Sequence, residues 1–136
     1  RADRVLHGFG VLKKADSLVQ LRARRTPIVS VASIEVKAGR AKSFARHPIQ
    51  KMLDAGLFCT FASGAPSAFG GSLTGEFELL STHLGWRLDA LRNSTLRAIE
   101  AGFIEPRLRF VVARAVENWR HRPRLTAGGD EEGYGL

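Results

Sequence analysis

The sequence predicts an α/β fold in which a short parallel sheet carries its helices on the outside. Apolar, β-branched runs alternate with stretches of helical hydrophobic spacing, in the order strand, helix, strand, helix, strand, and then helices alone. Each connection between strands is also long enough for the crossover that parallel pairing requires. An open sheet of only three strands leaves two bare edges and an apolar face. The pattern therefore predicts that strands are missing.

The elements follow in order. Val5 and Leu6 form a short strand closed by the turn His7-Gly8-Phe9-Gly10. Asp16 to Arg25 reads as a helix with Leu18, Val19 and Leu21 on its apolar face, ended by Thr26-Pro27. Ile28-Val29-Ser30-Val31 is a second strand, followed by a polar loop broken at Gly39. Pro48 suits the first turn of a helix whose buried stripe is Ile49, Met52 and Leu53, with Gly56 at its C-cap. Leu57 to Phe61 is the third strand, and a glycine-rich loop runs from Ser63 to Gly71. Glu76, Leu79, Leu80 and Leu84 mark the next helix, interrupted by Gly85. Helical spacing returns at Leu88, Leu91, Thr95, Ile99 and Phe103, and again after Glu105-Pro106 at Leu108, Val112, Ala115 and Trp119. The organisation expected is one domain over residues 1–124 and a flexible Gly- and acid-rich tail over 125–136.

Composition narrows the class. With 136 residues, 44% hydrophobic and 25% charged, the chain can bury a core. No apolar run approaches the length of a membrane span, and neither an initiator Met nor a signal segment precedes Arg1, as in a chain cut from something longer. The lone Cys59, among Leu57, Phe58 and Phe61, excludes an intrachain disulfide and reads as a small buried residue. A cytoplasmic protein is expected. Three of the 13 acidic residues lie at 130–132, so residues 1–124 carry 21 − 10 = +11. Such a balance raises the prospect of nucleic acid or another acidic partner. An arginine-favouring composition accounts for it without any partner and is the favoured reading, nucleic acid the less favoured one.

The residues also spell motifs. Arg4-Val5-Leu6-His7-Gly8 resembles the Arg-Ile-Gly-His-Gly segment of the adenosine deaminase family. His47-Pro48-Ile49 with Leu53-Asp54-Ala55-Gly56 is similar to its His-Pro-Leu…Leu-Asp-Ala-Gly, and Ala62-Ser63-Gly64-Ala65-Pro66 occupies the place of its Asn-Ser-Asp-Asp-Pro. Ser72-Leu73-Thr74-Gly75-Glu76-Phe77 stands for Ser-Leu-Thr-Asp-Glu-Tyr, and Glu100-Ala101 with Phe103 for Glu-Ala-Ser-Phe. The resemblance spans Arg4 to Phe103 with spacing kept. It implies the C-terminal part of a (β/α)8 TIM-type barrel, about three strands plus closing helices. A whole barrel needs about 250 residues.

The family reaction is zinc-dependent hydrolytic deamination of adenosine to inosine, in which a metal-bound hydroxide attacks the purine. The resemblance implies a metal site built from a His-x-His pair and a further histidine on earlier strands, none of them in this chain, and an aspartate from the Asp-Asp pair. Gly64 and Ala65 stand at that pair, and neither side chain can ligate a cation. His7 corresponds to the histidine that orients the attacking water and is the one candidate catalytic residue; its plainer reading is a strand-end histidine satisfied by its surroundings. Substrate-binding residues are not assigned. Further departures are Leu6 for a glycine, Ala32-Ser33-Ile34-Glu35 for Pro-Thr-Ser-Asn, Gly75 for an aspartate, and Arg97-Ala98 for Asn-Ser. His47, His83 and His121 read as structural or solvated, and the Arg120–Arg124 cluster as a hydrated helix end.

Three expectations follow. The chain alone is an inactive deaminase-like fragment needing no cofactor; or it joins a missing N-terminal barrel portion or a second copy of itself; or it is a basic module for an acidic partner.

Overall fold

The computed structural model describes residues 2–64, 67 and 71–121, with side chains to 119. The expected tail over 125–136, together with Ala65, Pro66, Phe69, Gly70 and Arg122–Arg124, lies outside the described residues. Among those described, no helix is long and apolar enough to cross a membrane.

The sheet is parallel, as the sequence predicts. It orders β1 (Val5–Leu6), β2 (Ile28–Ser30) and β3 (Cys59–Phe61) side by side in sequence order. Val5 is opposite Ile28, and Ile28 is opposite Cys59, so the three strands enter the sheet at one level. All three residues of β2 and of β3 are buried. β1 has the extent its apolar pair predicts, while β2 stops before Val31 and β3 begins after Phe58.

The helices are α1 (Ala15–Ala23), α2 (Ala32–Lys37), α3 (Ile49–Asp54), α4 (Leu73–Leu84), α5 (Leu88–Ala101) and α6 (Pro106–Glu117). Their caps follow the sequence signals. Ser72 accepts from the Gly75 N–H at the start of α4, Gly85 closes that helix in the left-handed region, and Glu105 accepts from the Leu108 N–H before Pro106 opens α6. The core lies where Ile28, Cys59 and Phe61 of the sheet meet Ile49 and Met52 of α3 and Leu80 of α4. Trp86 seals one side, edge-on to Phe61 at 5.3 Å, with its indole N–H given to Gln50.

Three expectations are corrected. The segment after β2 is not a polar loop: it turns at once into α2, a helix too short to show hydrophobic periodicity. Val19 is half-exposed rather than part of the buried face of α1, where Leu18 and Leu21 pack instead. Phe103 lies beyond the end of α5 and is 84% exposed, its ring covered by the Arg4 guanidinium at 4.5 Å.

Cys59 is buried as expected, and burial pushes its thiol up to about 12, against a smaller opposing pull from Arg97. At pH 8 the native protein is therefore expected to leave Cys59 unlabelled by a disulfide reagent, with full labelling in urea. Rapid labelling of the native state would show that β3 is not buried as described.

Candidate functional site

The C-terminal ends of β1 and β2 and the segment entering α3 converge on one residue, Glu35, in the first turns of α2. Its carboxylate is wholly buried and collects four donors. Ser30 Oγ donates to Oε2 at 2.6 Å and His47 Nε2 to the same oxygen at 2.7 Å; the Val31 N–H donates to Oε1 at 3.1 Å and His7 Nδ1 at 2.7 Å. Each comes from a different local cause. Ser30 is the last residue of β2, and Val31 is the N-cap residue of α2, so the carboxylate reaches back along its own helix. His47 follows a 3-10 turn over Phe44–Arg46 and immediately precedes α3.

His7 is aimed by an unusual backbone. It takes φ 66°, in the left-handed region, and Gly8 follows at φ 64°, where a Cβ would lie 3.0 Å from Ile28 Cγ2. The paired left-handed residues fold the chain sharply at the end of β1 and bring the imidazole against Glu35. A histidine in this region is uncommon and carries a conformational cost that the packing must offset.

The proton positions follow from the partners. The Ile49 N–H donates to His47 Nδ1 at 3.3 Å, so that nitrogen carries no proton and Nε2–H is the donor to Glu35. His47 is thus a neutral, buried donor. Burial alone would push the Glu35 carboxyl up, but the hydrogen bonds from His47, Ser30, His7 and the Val31 N–H together outweigh it and hold it below the ordinary carboxylate range. An ionised Glu35 receives the proton on His7 Nδ1. Among the described residues His7 Nε2 has no hydrogen-bond partner, and the side chain is 25% exposed.

A second buried carboxylate lies beside the first. Glu76 of α4 accepts from both the N–H and the hydroxyl of Ser33, which satisfies another first-turn donor of α2. His83, expected to be solvated and isolated, is exposed but stacks on Phe44 at 5.1 Å.

Gly64 follows β3 at this same end of the sheet. A Cβ built there would lie 2.8 Å from Ile34 Cδ1 and 3.3 Å from Val31 Cγ2. A side chain at position 64 would require the Ile34 side-chain end to shift and the Val31 methyls to give slightly. Among the described residues, no group of three or more His, Cys, Asp and Glu side chains is arranged to hold a metal ion. Glu35 has both oxygens occupied by hydrogen bonds, and position 64 offers no side-chain ligand. Ala65 lies outside the described residues.

The sequence picked out His7 and, as substitutions, Gly64 and Glu35. It missed the role of Glu35 as the acceptor that joins His7 to His47. The usable signal was a glutamate at a place where the resembled family carries a neutral asparagine.

Glu35→Ala strands the Val31 N–H, Ser30 and His47 donors in the interior and is expected to cost about 3 kcal/mol or more, read as a lower urea midpoint at unchanged m-value. In the wild type this contribution is complete above the ordinary carboxylate range. It is lost as the pH falls through the lower folded-state pKa, so wild-type stability should drop in acid more steeply than that of the variant. Equal stability of the two proteins at neutral pH would remove Glu35 from this role.

Comparison with known proteins supplies the family. The family model described as "Adenosine deaminase" matches residues 1–119. An adenine deaminase from Rhizobium rhizogenes is 32% identical over 105 residues, which is 77% of this chain and 33% of that protein. An adenosine deaminase from Plasmodium knowlesi is 30% identical over 105 residues, or 76% of this chain and 29% of that protein. The crystal structure of an adenine deaminase from Arthrobacter aurescens superposes with a TM-score of 0.84 at 24% identity, covering 89% of this chain and 37% of that one. The chain thus spans about a third of the length of these relatives. Its three parallel strands and surrounding helices are part of a TIM-type barrel, and the chain belongs to the adenosine deaminase family.

Proposed function

We propose that this chain is a deaminase-family barrel portion with no deaminase activity of its own. The observation that carries the reading is Gly64. The resembled metal site takes a carboxylate at this position, and here there is no side chain, while Ile34 occupies the space one would enter.

Hydrolytic deamination needs a nucleophilic hydroxide generated at neutral pH, a fixed proton carrier and a pocket for the purine. His7 retains the second of these requirements in form. Its Nδ1 is held by Glu35, which fixes the ring and leaves Nε2 as the nitrogen able to exchange a proton. The first requirement fails, because the carboxylate at position 35 is consumed by internal donors and position 64 has none to give. A positioned histidine without an activated nucleophile contributes little: general acid–base help alone is worth about 100- to 10,000-fold, far short of what an enzyme supplies.

A second reading concerns assembly. The sheet is open at both β1 and β3, Leu6 on the outer strand is 64% exposed, and Phe110 and Val111 of α6 are also exposed. We propose that these surfaces are covered in an assembly, by further barrel strands on a separate chain or by a second copy. Bare edges and large apolar faces of this kind are liabilities in an isolated protein.

The test of the first reading is a deamination assay on the purified chain with added zinc, using adenosine and adenine, together with metal content after dialysis. The expected result is no loss of either purine and no retained zinc. Turnover accompanied by stoichiometric zinc would overturn the proposal.

A further inference from the structure

At the opposite end of the sheet from Glu35, the segments that enter β2 and β3 enclose a second concavity of about 360 Å3. This is within the size of small-molecule sites, roughly 300–1,000 Å3. Its charged lining is Arg22 and Arg25 at the end of α1, Arg97 of α5, and Glu100 one turn further along α5, with Phe58 as floor. Three arginines against one glutamate leave a formal excess of 3 − 1 = +2. Arg25 gives one N–H to Glu100 at 2.8 Å. Among the described residues, Arg22 and Arg97 form no ion pair.

The local structure presents these guanidinium groups at a cost. The Arg25 N–H bonds to the Arg22 carbonyl and the Thr26 N–H to the Leu21 carbonyl, which is the double closure of a helix C-terminus that ordinarily ends in glycine. Arg25 occupies that glycine position at φ 49°. A non-glycine residue in the left-handed region costs about 1 kcal/mol. Its guanidinium lies over the Phe58 ring at 4.9 Å and stays 66% exposed, with donors beyond the one used on Glu100. Arg22 is exposed and passes close to Gly56, where a Cβ would come within 3.1 Å of its Cδ. Arg97 is half-buried and stands in the family pattern's asparagine place, a departure that the deamination site does not explain.

We propose that Arg22, Arg25 and Arg97 form a binding site for a small phosphoryl-bearing anion. Guanidinium forks match the paired oxygens of a phosphate, and several converging on one concavity favour a doubly or more highly charged group over chloride or a carboxylate. A concavity of about 360 Å3 suits a free phosphate ester or diphosphate better than a run of nucleic acid backbone. The ring of Phe58 offers an apolar contact to whatever the phosphate carries.

Pyrophosphate is the probe, titrated calorimetrically into the full chain at ionic strength held constant with chloride. One saturable site is expected. Arg97→Gln and Arg25→Gly should each weaken binding about tenfold or more, the loss expected for one charge-assisted contact. Arg25→Gly restores the glycine that the helix end favours, so its unfolding temperature should not fall; weaker binding in that variant reads the site and not the fold. Arg114→Gln on α6 should leave binding unchanged. No saturable binding, equal weakening by Arg114→Gln, or tighter binding of a short single-stranded oligonucleotide through the same arginines would each overturn the assignment.

Discussion

A buried carboxylate in a small domain must be met by donors on every side, and Glu35 organises this molecule around that requirement. Its two oxygens accept from the exits of β1 and β2, the start of α2 and the segment entering α3. These donors lie 4, 5, 12 and 28 residues from Glu35, and the desolvation of one anion is offset only when all are in place. The left-handed turn at His7 and Gly8, the abrupt start of α2 after Ser30 and the orientation of His47 follow from the same need. Glu76 does the same work on a smaller scale by taking the donors of Ser33.

This arrangement stands where a barrel of this family carries its chemistry, at the C-terminal ends of the strands. Polar side chains there usually point outward to substrate or metal. Here they point at one another, and the gap at Gly64 is closed by Ile34 and Val31. Self-satisfaction of polar groups and open coordination are physically opposed: a carboxylate holding four short hydrogen bonds has no lone pair left to offer a cation. The donors around Glu35 are in structural use.

The two ends of the sheet differ in kind. At the C-terminal end, buried charge is balanced within the protein. At the N-terminal end, Arg22 and Arg97 face a concavity without a carboxylate partner, and Arg25 is kept in a backbone region that favours glycine. Arg25 stacks on Phe58 and pairs with Glu100, much as Arg4 covers Phe103 and donates to the Ala101 carbonyl, whereas Arg22 and Arg97 form no ion pair among the described residues.

Strand order, the helices with clear caps and the apolar stripes of α3 and α4 were legible in the sequence, because periodicity and capping residues are local properties. So was the absence of any ligating side chain at Gly64, since a glycine is visible without coordinates. The helix α2 was not, because six residues bounded by buried partners on both sides show no amphipathic period. Nor was the bond between Glu35, His7 and His47. It depends on a left-handed turn that the sequence around His7 does not require and on a parallel register that places the strand ends level. Sequence determined which groups were available; the tertiary structure decided which of them meet, because hydrogen bonding and charge act over a few ångströms in space and are indifferent to separation along the chain.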